Sequence, residues 1–194
     1  ELNFLRNQFH PHFIFNALNG LYAKIVSGSP DAADILLKIS SLLRFSLYEA
    51  NFPQIALAKE MAFIEHYISL QQLRFGKQLE LSITVDGVQP QHQIEPFLIM
   101  PFVENGFKYC VNPDDGTGWI TIALQVKDDI LTLKIENSMG QVPGNEPKQS
   151  SGGWGLAAVK KRLAMHYQQN HELKIVPSND SFFVMLQLKL MPCN

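Results

Sequence analysis

The stretch WITIALQVKDDILTLKIENS, residues 119–138, decides the fold class. Apolar side chains alternate with other residues in both halves, at positions 120, 122, 124 and 126 and again at 131, 133 and 135. A period of two is typical of half-buried β-strands, and Asp128-Asp129 provides a turn between them. The stretch therefore predicts a β-hairpin with one apolar face.

Helical and strand patterns alternate on both sides of this hairpin. Helices are predicted over residues 58–75, about 96–110 and about 154–169, and further strands over 79–85, 173–176 and 182–190. Antiparallel strands with helices collected on one side form a two-layer domain of the α+β class. We therefore expect an α+β sandwich in this part of the chain.

The first fifty residues carry two helical apolar stripes, separated by Ser27-Gly28-Ser29-Pro30. Ser29 is predicted to cap the second helix and Pro30 to occupy its first position. A short-looped pair of amphipathic helices leaves one side uncovered, so we expect a second copy to complete a four-helix bundle. The predicted boundary at residues 51–53 divides the chain into a dimerisation hairpin, 1–52, and a second domain, 53–194.

The composition excludes several classes of protein. The 194 residues are 46% hydrophobic and carry a formal net charge of −2, which gives no electrostatic reason to expect a nucleic-acid partner. Cys110 and Cys193 are too far apart in sequence to suggest a zinc site or a disulfide framework, and a reducing compartment fits best. No apolar run reaches the ~20 residues that span a bilayer, and no signal peptide is visible. The sequence starts inside a helical pattern, so we expect a fragment of a longer protein.

Four short segments carry residues suited to chemistry, and the first is QFHPHFIFN, residues 8–16. Pro11 within a helical stripe would free the carbonyl of Asn7 and bend the helix beside His12, at a cost of about 3 kcal/mol. A neutral imidazole is a usable nucleophile near pH 7, and Asn16, four residues later, could orient the ring of His12. Alternatively, His10 and His12 are ordinary histidines of a helix surface.

The second segment is PFVENGFKY, residues 101–109. Glu104 and Lys108 share one face of the predicted helix, and Asn105 lies one step round. The amide oxygen of Asn105 suits Mg²⁺, Lys108 can neutralise phosphate charge, and Glu104 can accept a proton or orient the attacking histidine. An exposed Glu–Lys surface pair is the alternative.

The third and fourth segments are IENS, residues 135–138, and GGWGL, residues 152–156. Asn137 at the end of a strand could accept a hydrogen bond from an adenine amino group, or could belong to an ordinary turn. The glycines end a long polar loop, 138–153, and open a helix, where backbone N–H groups can approach phosphates. Residues 160–162, KKR, are expected on a solvated face.

The order of these four segments resembles the LytS/YehU-type sensor histidine kinases, whose nucleotide domain has the Bergerat (GHKL) fold. The sequences LRFSLY (43–48), LAKEM (57–61) and the stretch 67–75 also resemble that family, so the likeness covers essentially the whole chain. It implies a sandwich domain of Bergerat type after the hairpin.

The resemblance also implies roles for individual residues. His12 is the phosphoacceptor; Glu104 and Asn105 belong to the N-box, with Asn105 on Mg²⁺ and Lys108 on phosphate. It further implies that Gly153 and Gly155 form the second glycine box at the ATP lid, and that Asn137 stands where the family carries an adenine-binding Asp.

Two positions depart from the family pattern, and a third departs from the commoner histidine-kinase type. Asn137 keeps an acceptor oxygen but lacks the charge, and Met139 replaces a glycine of the first glycine box, with Gly140 one place late. Phe13 follows His12, where the commoner histidine-kinase type has an acidic residue. The departure at Phe13 makes Glu104 the candidate proton acceptor.

The resemblance predicts an ATP- and Mg²⁺-dependent protein histidine kinase in two-component signalling. It implies a homodimer through residues 1–50, a response regulator of LytTR type as partner, and the cytoplasmic domain of an inner-membrane sensor whose membrane segments lie outside this chain. The first alternative is a nucleotide-binding dimerisation scaffold that no longer transfers phosphate. The second is a chaperone-type ATPase that does not need His12.

Overall fold

The computed structural model describes residues 11–110, 116–139 and 154–190, without the side chains of 11–14 and 154. Helices α1 (Pro11–Val26) and α2 (Ala32–Tyr48) form the predicted N-terminal hairpin. The predicted capping of α2 was wrong by two residues, because Asp31 is its N-cap and the helix begins at Ala32. Within the described ranges, none of the helices combines the length and hydropathy needed to cross a bilayer.

After the hairpin the chain forms three more α-helices and seven strands in the residues that the structure describes. In chain order they are β1 (Ile55–Ala56), α3 (Leu57–Phe75), β2 (Leu79–Asp86), β3 (Gln93–Ile94), α4 (Met100–Tyr109), β4 (Gly118–Lys127), β5 (Ile130–Ser138), α5 (Trp154–His166), β6 (His171–Pro177) and β7 (Ser181–Lys189). The predicted helix 58–75 and the predicted strands are confirmed. Helix α4 begins at residue 100 and not near residue 96, because side chains from other elements hold residues 95–99 in a non-helical conformation.

A five-stranded sheet has the order β2-β4-β5-β7-β6. Strands β2 and β4 are parallel, and every other neighbouring pair in this sheet is antiparallel. Asp128 and Asp129, with φ of 51° and 58°, join β4 to β5. Positive φ at both central residues is the requirement of a two-residue type I′ hairpin turn, so the hairpin predicted from residues 119–138 is confirmed.

One face of the sheet is buried against helices and the other carries polar residues such as Thr121, Gln125 and Lys134. Burial of each large apolar side chain of the inner face contributes about 1.5–3 kcal/mol. The buried cluster joins the sheet, α3, α4 and α5, and it continues to Ile35, Ile39 and Leu42 of the hairpin. The α+β class is therefore confirmed.

Candidate functional site

Helix α4 carries three of the predicted site residues on its outer side. Phe102, Val103, Gly106 and Phe107 are buried, whereas Glu104 and Asn105 are partly exposed. Lys108 is exposed, and its ammonium lies 5.1 Å from the centroid of the Tyr109 ring. The apolar face of α4 thus fixes the helix against the sheet and leaves the polar groups accessible.

Gly106 allows α4 to lie close to the sheet. A Cβ at this position would be 2.5 Å from Cδ1 of Ile120 on β4 and 3.6 Å from Cγ2 of Ile135 on β5. Because real Cβ atoms do not approach neighbours so closely, a larger residue would require the Ile120 side chain or α4 to shift. The glycine therefore lets α4 lie close to the start of β4 and the end of β5.

Asn137 at the end of β5 lies under this helix. It pairs across the sheet with Ile120, the residue beneath Gly106, and only 1% of its surface is exposed. Its Nδ2 donates to the carbonyl oxygen of Ser138 at 2.8 Å, but its buried Oδ1 has no hydrogen-bond partner among the residues that the structure describes. An unpaired buried acceptor costs about 1–3 kcal/mol, so this oxygen suits a ligand that brings a donor.

Ser138 links the end of β5 to the end of α4 by hydrogen bonds. Its Oγ donates to the carbonyl oxygen of Cys110 and accepts the backbone N–H of Trp119 at 2.8 Å. Burial raises the pKa of the Cys110 thiol to about 11, so this cysteine stays neutral near pH 7. Asn137 and α4 are thereby held in a fixed relation.

Gly155 places the beginning of α5 beside the beginning of α4. A Cβ on Gly155 would lie 3.6 Å from Cβ of Pro101, which is ordinary van der Waals contact. The other predicted lid glycine, Gly153, lies outside the described residues. Asn105 lies on α4, and Asn137 and Gly155 lie next to this helix. The three residues are up to 50 positions apart in sequence.

The charge of Glu104 affects the pKa of Tyr67, a buried residue of α3. Burial raises the pKa of the Tyr67 phenol, and the nearby charge of Glu104 raises it further. Tyr67 contacts Phe107 edge-on, with ring centroids 5.8 Å apart, and its hydroxyl accepts a 2.6 Å hydrogen bond from Gln71. Glu104 is therefore close to a buried polar group of the helix that packs against the hairpin.

The candidate phosphoacceptor His12 lies on α1, and its side chain is outside the description. Asn16, one helical turn further on, is partly buried and lines a cavity of about 190 Å³ between the first three helices. Gly20, Gln71 and Arg74 also line this cavity. The predicted proximity of His12 to Glu104 stays a prediction.

Two residues next to α4 were not predicted from the sequence as part of this site. Glu60 of α3 is fully buried, and burial raises the pKa of its carboxyl to about 7, although hydrogen bonds from the N–H groups of Phe97 and Ile99 lower it. Arg162 was expected on a solvated face, and this prediction was wrong. Its side chain is 13% exposed and pairs with Glu95, with 2.9 Å between Nε and Oε1.

Among the described residues, no cluster of three or more His, Cys, Asp or Glu side chains could hold a metal ion. A divalent cation at this site would therefore depend on an oxygen such as that of Asn105, on water and on phosphate oxygens. That mode of binding is usual for Mg²⁺.

Comparisons with known proteins find similarity to histidine kinases. The family model described as histidine kinase matches residues 1–79. The sensor histidine kinase YpdA of Escherichia coli (strain K12) is 33% identical over 197 residues, covering 94% of this chain and 34% of YpdA. The sensor protein LytS of Bacillus subtilis (strain 168) is 29% identical over 184 residues, covering 90% of this chain and 31% of LytS. The chain is related to the LytS-type sensor histidine kinases. It spans about a third of the length of these curated relatives.

The fold of this chain is also similar to that of a solved histidine kinase domain. The domain from the blue-light activated histidine kinase EL346 of Erythrobacter litoralis has a TM-score of 0.53 at 15% sequence identity. The match covers 92% of this chain and 93% of that domain. The helices and the five-stranded sheet therefore fit the Bergerat-type architecture that the motifs predicted.

Proposed function

We propose that this chain is the catalytic core of a LytS-type sensor histidine kinase, which binds Mg-ATP and transfers the γ-phosphoryl group to His12. The proposal depends most on one observation, the buried and unpaired Oδ1 of Asn137 beneath α4. An adenine amino group is a donor that would satisfy this oxygen. The uncharged amide replaces the carboxylate of the family pattern without losing the acceptor.

The other site residues would hold the triphosphate. Asn105 would bind Mg²⁺ through its amide oxygen, and Lys108 would offset phosphate charge. Gly153 and Gly155 would let the backbone at the start of α5 approach the phosphates, where the free N–H groups of a helix N-terminus favour anions. ATP supplies the transferable phosphoryl group, and this chain supplies position and charge.

The transfer itself would use His12 and Glu104. A ring nitrogen of His12 forms a bond to the γ-phosphorus as the bond from that phosphorus to the bridging oxygen breaks, and ADP leaves. The proton lost by the imidazole passes to the carboxylate of Glu104. The phosphoryl group then passes to an aspartate of a response regulator, for which the resemblance suggests the LytTR type.

Exposed apolar stripes on the hairpin support the proposed homodimer through residues 1–50. On α1 the stripe consists of Phe15, Leu18, Tyr22 and Ile25, which are 42–69% exposed at helical spacing. Leu36, Leu43 and Leu47 form a similar stripe on α2, 40–59% exposed. A second hairpin would cover both stripes in a four-helix bundle. The division into a 1–52 hairpin and a 53–194 catalytic domain, within the cytoplasmic part of an inner-membrane sensor, belongs to the same proposal.

Nucleotide binding is tested with Asn137→Leu, which is nearly isosteric and removes the unpaired acceptor. We expect the free energy of unfolding to stay within about 1 kcal/mol of wild type, and the Kd for Mg-ATP in calorimetry to rise about tenfold or more. Thr132→Val, on the opposite face of the same strand, is the matched control. Equal affinities of wild type and Asn137→Leu would remove the adenine role of Asn137.

Phosphoryl transfer is tested with γ-labelled ATP and His12→Gln. The wild type should acquire acid-labile label and His12→Gln should not, whereas His171→Gln, on β6, should behave as wild type. Nucleotide binding without label in the wild type would favour the alternative of a non-transferring scaffold. Release of free phosphate by His12→Gln would favour the chaperone-type ATPase.

A further inference from the structure

The five residues before α4, Glu95–Ile99, form a segment whose backbone is bonded by side chains from distant elements. The N–H of Glu95 donates to the hydroxyl of Tyr167 at 3.1 Å. The N–H groups of Phe97 and Ile99 donate to the two carboxylate oxygens of Glu60, at 2.9 and 3.2 Å. This segment is therefore positioned by the tertiary structure and not by its own secondary structure.

Glu60 takes the place of a helix cap. The N-cap residue of α4 is Ile99, whose side chain cannot accept a hydrogen bond. The first N–H groups of a helix have no partner within it, and a carboxylate is the group that they favour. Glu60 provides that carboxylate from α3, in the middle of the apolar stripe formed by Leu57, Met61 and Ile64.

Arg162 of α5 also binds this segment, through its guanidinium. Its guanidinium donates to Glu95 Oε1 at 2.9 Å, to the carbonyl oxygen of Phe97 at 3.1 Å and to the carbonyl oxygen of Pro96. It is also the nearby cation that lowers the pKa of Glu60. A planar fork with several donors can make three such bonds together, and a lysine ammonium cannot reproduce that geometry.

Phe97 connects this segment to the hairpin. Its φ of 56° is in the left-handed region, which is unfavourable for a bulky residue. Its ring packs against Phe45 of α2 and Phe63 of α3, with centroids 5.3 and 5.2 Å away, and these two rings lie 4.4 Å apart. A residue three positions before the start of α4 thus contacts the hairpin that carries the candidate phosphoacceptor.

We propose that Glu60 and Arg162 are positioning residues that fix the position of the first turn of α4. They thereby determine where Asn105 and Lys108 lie relative to the nucleotide. Together with Phe97 they link the nucleotide-binding helix to α5 and to the hairpin, so that displacement of the hairpin changes nucleotide affinity. This inference rests on the proposed function, because it concerns regulation of the same site. Neither residue touches the nucleotide in this scheme.

The test compares the Mg-ATP affinity of Glu60→Gln and Arg162→Lys with that of wild type. The glutamine would place an N–H₂ group against one of the two backbone N–H donors, and the lysine would lose the fork while keeping the charge. We expect each variant to raise the Kd about tenfold, equivalent to about 1.4 kcal/mol. Because both residues act on one segment, the Kd of the double variant should exceed that of the weaker-binding single variant by no more than about twofold. Glu65→Gln on α3 and Lys161→Gln on α5 are exposed matched controls.

The outcomes separate this inference from the proposed function. If wild type does not bind Mg-ATP, the proposed function fails and the inference fails with it. If wild type binds and either folded variant binds within twofold of it, the inference is overturned while the proposed function stands.

Hydrogen exchange of the wild type needs no substitution and decides the question even if a variant does not fold. On addition of Mg-ATP, the amides of Phe97 and Ile99 should exchange more slowly, together with those of α4. Protection of α4 with unchanged exchange at Phe97 and Ile99 would overturn the inference.

Discussion

Substitution of Glu60 by glutamine removes a carboxyl group whose protonation is coupled to folding. Burial raises its pKa from an ordinary 4.5 to about 7 in the folded protein. Between these two values the folded state holds a proton that the unfolded state has released. Stability from this group is therefore full below about pH 4.5 and is lost as the pH rises through about 7.

The magnitude follows from the two pKa values. Each pKa unit corresponds to about 1.4 kcal/mol, so the complete effect of the difference between 4.5 and about 7 is about 3 kcal/mol. Between pH 5 and pH 8 the part that changes is about 2–3 kcal/mol. The glutamine of the Glu60→Gln variant does not titrate, so the free energy of unfolding of wild type relative to this variant should fall by about that amount over this interval.

Urea denaturation of both proteins at pH 5, 6, 7 and 8 measures this difference. Histidines and surface carboxyls titrate in both proteins, so their contributions cancel in the comparison. Glu65→Gln, at an exposed position on the same helix, is the matched control. A gap between wild type and Glu60→Gln that does not change with pH, or that changes with the opposite sign, would refute the reasoning about burial.

Two further predictions concern the fold and the assembly. Gly87→Ala should lower the free energy of unfolding by about 2–4 kcal/mol, because φ is +73° and the new Cβ would overlap the backbone carbonyl oxygen of Val126. Gly28→Ala, with φ of +66° and open space around it, should cost only about 1–2 kcal/mol in the same urea titration, and equal losses would contradict the overlap. Leu47→Glu, at a position 59% exposed on α2, should weaken self-association at least tenfold in analytical ultracentrifugation, because the charge would be buried in the dimer. Met165→Glu, 52% exposed on α5, should leave self-association unchanged, and dimerisation of Leu47→Glu as tight as wild type would exclude the α2 stripe from the interface.

Much of the fold could be predicted because local pattern and tertiary environment agree. The β4–β5 hairpin has apolar positions at a period of two and two aspartates that tolerate positive φ at its turn. Met61, Ile64 and Ile68 of α3 recur at helical spacing and are all buried. In these elements the residues that determine conformation are close neighbours in sequence.

The start of α4 could not be predicted in this way. Residues 96–99 are apolar and match a helical stripe, but Glu60, Arg162 and Tyr167 bind the backbone of residues 95–99 from positions at least 37 residues away. The signal for Glu60 was nevertheless present, as a charged residue between Leu57 and Met61 in an otherwise apolar stripe. A charge at such a position indicates a buried partner, although sequence cannot say which.

The candidate site shows the same division. The residue types at 104, 105, 108 and 137 indicated phosphate, metal and adenine chemistry from the sequence. Their arrangement depends on the close approach of Gly106 to Ile120 and on the cross-strand pair between Ile120 and Asn137. Both are contacts between distant parts of the chain, so the sequence alone does not reveal them. Ile120 connects the two site residues, because it contacts the neighbour of Asn105 and pairs across the sheet with Asn137.

Phe97 is the residue through which a movement of the hairpin would reach α4. A bulky residue with φ near 56° costs on the order of 1–3 kcal/mol and persists only where its surroundings hold it. Here the restraints are two backbone hydrogen bonds, to Glu60 and Arg162, and two ring contacts, to Phe45 and Phe63. A shift of α2 against α3 would separate the rings of Phe45 and Phe63 and remove part of what holds Phe97 in place. Ile99 and the first turn of α4 follow Phe97 within three residues. Loss of the conformation of Phe97 would therefore displace the start of the helix that carries Asn105.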